Sequence, residues 1–259
     1  MRSVSPWPLT SCACSRSPAS TIVTSRTFST SRAAQFLFAL VGNSSLQRGP
    51  LWWAAHHRRH HRHPDEHIDP HSPHQHGLLW SHLLWITANE NFETDMTRVR
   101  DFARYPELRF LNRFDLLAPT ALAATIYFLG EVLAAFGTNG MQMLIWGSFV
   151  STIVLFHATC TINSLAHRFG TRRFDTQEHS RNNWLLALIT FGEGWHNHHH
   201  CAPGAVRQSF YWWEIDITYY GLKVLQWLQV IWDLHPVPAR VYSHRPNLPS
   251  LENCVARAG

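Results

Sequence analysis

Two long apolar runs limit what this chain can fold into more than any other feature. Residues 116–137 read "LLAPTALAATIYFLGEVLAAFG" and residues 141–163 read "MQMLIWGSFVSTIVLFHATCTIN", joined by the short turn "TNG". A helix needs about 20 apolar residues to cross a bilayer, and each run has roughly that length. Arginines crowd both outer ends: Arg104, Arg109 and Arg113 before the pair, Arg168, Arg172 and Arg173 after it. Basic residues gather on the cytosolic side of spanning helices, so the pattern predicts a hairpin with both ends facing the cytosol. Glu131 and His157 interrupt the runs and keep open the alternative of two buried helices in a soluble core. Glu131 falls near the far interface, where a charge costs little.

The second constraint is histidine. The tract "WWAAHHRRHHRHPDEHIDPHSPHQHG" begins at Trp52, and "GEGWHNHHHCAP" begins at Gly192. Residues at i, i+3 and i+4 share one face of a helix. His57, His60 and His61 have that spacing, as do His196, His199 and His200, so each triplet can aim three imidazoles at one point. Asn163 and His167 add an i, i+4 pair just past the second apolar run. Seven histidines and an amide exceed what one metal needs, and two metals close together is the natural count. Imidazole without thiolate suits iron, copper, zinc or nickel alike. A structural zinc site would need four ligands and would usually include Cys. A solvated His/Arg-rich loop could account for the first tract alone; it does not account for a second HxxHH at a matching depth. His56, His63, His67, His71, His74, His76, His82, His179 and His198 fall off the shared spacing and read as loop or supporting residues. His157 reads as a helix-to-helix hydrogen-bonder.

The remaining composition narrows the classes. At 259 residues the chain makes one domain with a substantial core, or two small ones. A net charge of +5 suits an anionic membrane surface, an anionic substrate or nucleic acid. The basic residues are scattered Arg with a single Lys, Lys223, and no motif supports nucleic acid as a partner. Five cysteines without a CxxC pair give neither a disulfide framework nor a zinc ribbon. Residues 33–56 are apolar but broken by a Gly-Pro stretch, and predict a membrane-surface helix with a Trp anchor. The aromatic stretch after Ala205, "SFYWWEIDITYYGLKVLQWLQVIWDL", predicts an interfacial helix over the cytosolic domain.

With these motifs in view the sequence resembles the membrane-bound fatty acyl desaturases of the stearoyl-CoA desaturase type. "WWAAHHRRHHRH" resembles their HxxHH box, "NSLAHRFGTRRFDT" their NxxxH segment, and "GEGWHNHHH" their closing box. The resemblance runs from about Arg26 to about Pro238, and the boxes occur in the family's order. It implies an all-α integral membrane protein: a transmembrane helical hairpin under a cytosolic helical cap that carries a histidine-rich di-iron site. It also implies a reaction that reduces O2 and removes two hydrogens from a saturated acyl chain, carried most naturally as acyl-CoA, leaving a cis double bond. Electrons would come from a separate ferredoxin, rubredoxin or cytochrome b5-type carrier. By family pattern one iron takes His57, His61 and His199, and the other takes His60, His167, His196 and His200, with Asn163 reaching it through water. Asp69, Asp175 and Glu193 would hold imidazole N–H groups, or else pair with nearby arginines at the surface. The location implied is a bacterial inner membrane, or the endoplasmic reticulum of a eukaryote, with the site on the cytosolic side.

One part of the pattern breaks. The family has an earlier HxxxxH box after a first membrane hairpin, and here "ASTIVTSR" stands in its place, with Ser20 and Ser25 at the ligand positions. Residues 21–25 can be written ACC ATC GTT ACT TCT; read one base earlier, after a T, the same bases give Tyr-His-Arg-Tyr-Phe. Residues 1–25 therefore read as an out-of-frame translation, followed by the desaturase domain at 26–238 and a tail at 239–259. A Ser/Arg-rich organellar leader is the alternative for this segment. As written, the chain loses two imidazoles from one iron, so an inactive fragment is a live alternative to a desaturase. A lipid hydroxylase on the same scaffold is another. A histidine-rich metal transporter is a third, weakened because the chain offers only two spanning segments.

Overall fold

The computed structural model describes residues 27–243 and is mostly helical. Residues 1–25, with Ser20 and Ser25, lie outside the described residues, as does the tail beyond Ser243. The first described element is a two-residue strand, β1 (Ser29–Thr30). Helix α1 (Arg32–Asn43) starts where the Ser31 side chain accepts from the Ala34 N–H at 3.2 Å, satisfying one of the otherwise orphaned N–H groups of the first turn. Helix α2 (Pro50–Arg62) starts on Pro50, whose missing N–H costs nothing there. A short α3 (Leu78–His82) follows, then α4 (Pro106–Arg113) and α5 (Leu117–Val132). The long α6 (Gly140–His167) carries a π-helical stretch at Ile145–Val150. Helices α7 (Trp184–Ile189), α8 (His196–Cys201) and α9 (Ile217–Trp227) lead to β2 (Ile231–Trp232), which pairs antiparallel with β1.

Residues 33–56 differ from the surface helix that their apolar content predicts. They form α1 and the first half of α2, and they build the main core instead. Ala39, Leu51, Ala54 and Ala55 pack against Val99, Phe102, Leu108 and Leu111, all buried. Trp52 is 2% exposed and stacks on Trp85 at 5.4 Å rather than anchoring in an interface. The physical reason is the partner segment around residues 99–111. It brings a complementary apolar stripe with too few apolar residues to be conspicuous on its own. Arg58 fastens the same contact through a two-pronged pair with Asp101 at 2.7 and 2.9 Å.

Helices α5 and α6 pack side by side as a tight antiparallel pair. A Cβ at Gly130 would lie 2.6 Å from the Asn139 carbonyl oxygen, so only glycine permits this approach. Glu131 closes the turn by accepting the Gly140 N–H at 2.9 Å. Among the described residues α6 is the one helix long and apolar enough to cross a membrane; its most apolar window is only 11% buried inside the protein. A core helix of a soluble protein would be mostly covered, and here the outer faces carry Phe128, Val132, Phe136 and Trp146 in the open. The first limb passes the same test only when α4 and α5 are taken together, and they are bent by 73°.

Candidate metal centre

The arrangement of helix ends gathers the histidines. The last turns of α2 and α8 and the end of α6 meet at one buried point. On α2 the last two turns present His57, His60 and His61, of which His57 and His60 are buried. Helix α8 is oriented by Asn197, which is fully buried: its Oδ1 accepts the N–H groups of Arg173 and Phe174 at 2.9 and 2.8 Å, and its Nδ2 donates to the Phe174 carbonyl at 3.1 Å. Ahead of α8, Gly194 passes so close to α7 that a Cβ would sit 2.0 Å from the Ala187 nitrogen, which sets where His196 begins its turn.

Two groups result. His60, His167, His196 and His200 each offer a ring nitrogen within 4.8 Å of the others, and so do His57, His61 and His199. In the first group Nε2 faces Nε2 at 3.3 Å (His60–His200), 3.1 Å (His167–His196) and 3.1 Å (His196–His200). In the second, His61 and His199 face each other at 2.8 Å. Ligands bound at about 2.0–2.1 Å by a tetrahedral ion lie about 3.3 Å apart, so the first group has the spacing of a coordination shell. Without a cation these nitrogens would be lone pairs pointed at one another. Asn163, 8% exposed at the end of α6, has its backbone carbonyl held by the Ser81 hydroxyl at 2.8 Å while its Nδ2 is buried without a partner. His57 Nε2 is likewise buried and unpartnered. Orphaned polar atoms beside converged imidazoles fit a metal with its water.

Carboxylates fix which nitrogen faces inward. Asp69 accepts His60 Nδ1–H at 2.8 Å, and Asp65 accepts His167 Nδ1–H at 3.1 Å. Glu178 stands 3.7 Å from His200 Nδ1. With Nδ1 protonated and tied back, Nε2 carries the lone pair into the centre. The carboxylates are themselves held: Asp65 by the Ser72 hydroxyl at 2.6 Å and the His179 N–H at 2.9 Å, Asp69 by the Asp65 N–H at 2.9 Å. Burial works to raise both Asp65 and Asp69, yet the imidazoles and these donors hold both well below the usual carboxylate range.

Of the three carboxylates expected from sequence to hold imidazoles, Asp69 does so. Glu193 is buried, 2% exposed, in the turn before α8. Asp175 is a correction: its side chain is 83% exposed and lies 3.7 Å from Arg172, so it is a surface ion partner. In this segment Phe174 is the buried side chain, and Asp175, next to it, faces out. Asp65 and Glu178 take the positions nearest His167 and His200. His71 and His198, read as loop or supporting residues, are essentially fully buried, His71 in the turn after Asp69 and His198 in α8. His157 is the helix-to-helix bonder its position implies, 3.0 Å from His82.

Burial pushes His57, His61, His196 and His200 well below the ordinary imidazole value, and His199 to about 3. Burial acts the same way on His60, but Asp69 reverses it and leaves that ring raised. The five lowered rings are therefore neutral at pH 7, the state a metal requires.

The comparisons with known proteins agree with this geometry. A family model described as fatty acid desaturase matches residues 24–223. An acyl-CoA 5-desaturase of Anemone leveillei is 35% identical over 236 residues, covering 90% of this chain and 69% of its own. An sn-2 palmitoyl-lipid 9-desaturase of Nostoc sp. (strain 36) is 35% identical over 212 residues, covering 80% and 71%, and an sn-1 stearoyl-lipid 9-desaturase of Anabaena variabilis is 34% identical over 206 residues, covering 79% and 72%. The chain belongs to the fatty acid desaturase family. It is an oxidoreductase family of lipid metabolism, and its membrane association accords with α6.

The pKa pattern sets a testable stability profile. A histidine with a lowered folded value binds fewer protons folded than unfolded, so its contribution is present above about pH 6.5 and is lost as pH falls. Each fully buried ring of this kind adds a slope of up to about 1.4 kcal/mol per pH unit below that point. The metal-free protein in detergent should therefore lose melting temperature steadily from pH 7.5 to pH 5. A flat melting temperature across that range would contradict the assigned protonation states.

Proposed function

We propose that this site is built for two iron ions and that the frame-corrected chain introduces a cis double bond into a saturated fatty acyl chain, presented as acyl-CoA, at the expense of O2. The observation that carries the reading is the convergence of seven imidazoles in two adjoining groups, three of them backed by Asp69, Asp65 and Glu178. Histidine-only donor sets suit iron among other metals, and the family membership supports it. Bound iron would supply the activation of O2 and the removal of two hydrogens; two electrons come from a separate small redox protein.

The chain's own residues have four tasks in this scheme. His60, His167, His196 and His200 would hold one ion, with Asn163 presenting its buried amide to a water on it. His57, His61 and His199 would hold the other. Asp69 and Asp65 keep the Nδ1 protons of His60 and His167, so these rings neither rotate nor lose their inward lone pairs. The packed helix ends exclude water, which keeps reactive oxygen from unproductive reduction.

The hairpin of α5 and α6 is proposed to span the membrane, with the histidine cap on the cytosolic side. The exposed apolar faces of both helices support this reading, as do the open aromatics Trp184, Trp212, Trp213 and Trp227, which would lie at the interface. In a chain otherwise free of cysteine, Thr138→Cys should be labelled from one side of a sealed vesicle and Thr171→Cys from the other. Labelling of both from the same side would remove the spanning assignment.

The three-histidine group is proposed to be the depleted one, because Ser20 and Ser25 stand where the family places two more imidazoles, and a neutral hydroxyl is a poor ligand. In a desaturase-deficient host, a frame-corrected chain should make cis-monounsaturated fatty acid, and its His60→Ala variant should make none while still reaching the membrane. The chain as written should yield near background. Full activity of His60→Ala would sink the site, and equal product from the written chain would sink the depletion. A retained hydroxyl instead of a double bond would make the protein a hydroxylase.

A further inference from the structure

Outside the seven converging imidazoles, a second set of metal-competent side chains lies at the solvent edge of the loop that follows α2. Asp65, His74 and His179 each offer one ligand atom, and the three atoms lie within 4.8 Å of one another. Asp65 is buried, whereas both imidazoles are exposed and stack at 3.9 Å, so each ring would turn about its Cβ–Cγ bond to aim its lone pair at a shared ion. His179 Nδ1 stands 3.3 Å from Asp65 Oδ2. That is a long hydrogen bond, and it is also the separation of two ligands held at about 2.0–2.1 Å by a tetrahedral ion. Asp65 keeps its shorter partners in either case: the Ser72 hydroxyl on Oδ1 at 2.6 Å, and the His179 backbone N–H and His167 Nδ1–H on Oδ2 at 2.9 and 3.1 Å. Only the weak ring contact would be exchanged for a cation.

We propose that Asp65, His74 and His179 form an outer site for one borderline divalent cation, of which Zn²⁺ is the fitting type. Two imidazoles and one carboxylate, with the fourth position open to water, form a donor set that zinc accepts. Hard cations such as Ca²⁺ and Mg²⁺ prefer shells of oxygen and have no such shell here. The outer site is joined to the inner centre by two short routes. Asp65 bridges them, since the same Oδ2 faces His179 and His167. His74 Nε2–H donates to the His167 backbone carbonyl at 3.0 Å. A cation outside would draw the Asp65 charge toward itself and loosen its hold on His167. The site is thus a place from which a cytosolic cation can act on the inner centre, whichever metal that centre holds.

The test uses the full chain in lipid nanodiscs, reconstituted with iron and then titrated with Zn²⁺ by calorimetry, with iron content measured before and after. The parent should take up one equivalent of Zn²⁺ that the His74→Gln/His179→Gln double variant does not, while both retain equal iron. Co²⁺ in place of Zn²⁺ should give the visible absorption of a four-coordinate site in the parent alone. His179→Phe keeps a ring stacked on His74 but removes both of its ligand nitrogens; it should weaken the uptake by tenfold or more and serves if the double variant does not fold. Equal stoichiometry and affinity in parent and variant, in either pair, would overturn the proposal.

Discussion

The two ion-like contacts His60–Asp69 and His167–Asp65 are the interactions on which the rest of this structure depends. They sit in the loop after α2, and that loop is where α2, the end of α6 and the segment before α7 are tied together. Asp65 receives the His179 backbone N–H and the Ser72 hydroxyl, and Asp69 receives the Asp65 N–H. Losing one of these carboxylates would free an imidazole and would also leave buried donors without an acceptor, which costs about 1–3 kcal/mol for each orphaned group. The bracing therefore orients ligands and holds the fold at the same point.

The centre is under-satisfied as a purely organic assembly. Rings with Nε2 facing Nε2 at 2.8–3.3 Å can share at most one proton per pair, and His57 Nε2 and Asn163 Nδ2 are buried without partners. A cation in each group would turn these conflicts into bonds. The fold tolerates the arrangement because its stability is supplied elsewhere: by the aliphatic core between α1, α2 and residues 99–111, and by the close pairing of α5 with α6. The chain thus separates a packed, apolar support from a polar point where the imidazoles converge.

Much of this was legible in the sequence. The two HxxHH triplets and the Asn163/His167 pair could be placed on common faces from spacing alone, because three histidines at i, i+3 and i+4 have few ways to point apart. The apolar pair at 116–163 was legible for the same kind of reason, since length and composition restrict it to helices. The supporting carboxylates were harder. Asp69 sits in a conspicuous run, but Asp65 and Glu178 have no periodic relation to the rings they face, and Asp175 looks equivalent to them in sequence although its side chain faces out. Residues 33–56 misled because apolar content tells how much a segment buries and not what it buries against. His71 and His198 read as loop or supporting residues, and only tertiary packing reveals their burial.

The proposed centre has two metal positions of unequal strength, one with four imidazoles and one with three. The direct measurement is an anomalous difference map of the crystallised chain, as written, recorded at the iron edge. The account predicts a strong peak among His60, His167, His196 and His200 and a weaker one among His57, His61 and His199. No peak at either position, or the stronger peak in the three-histidine group, would contradict it.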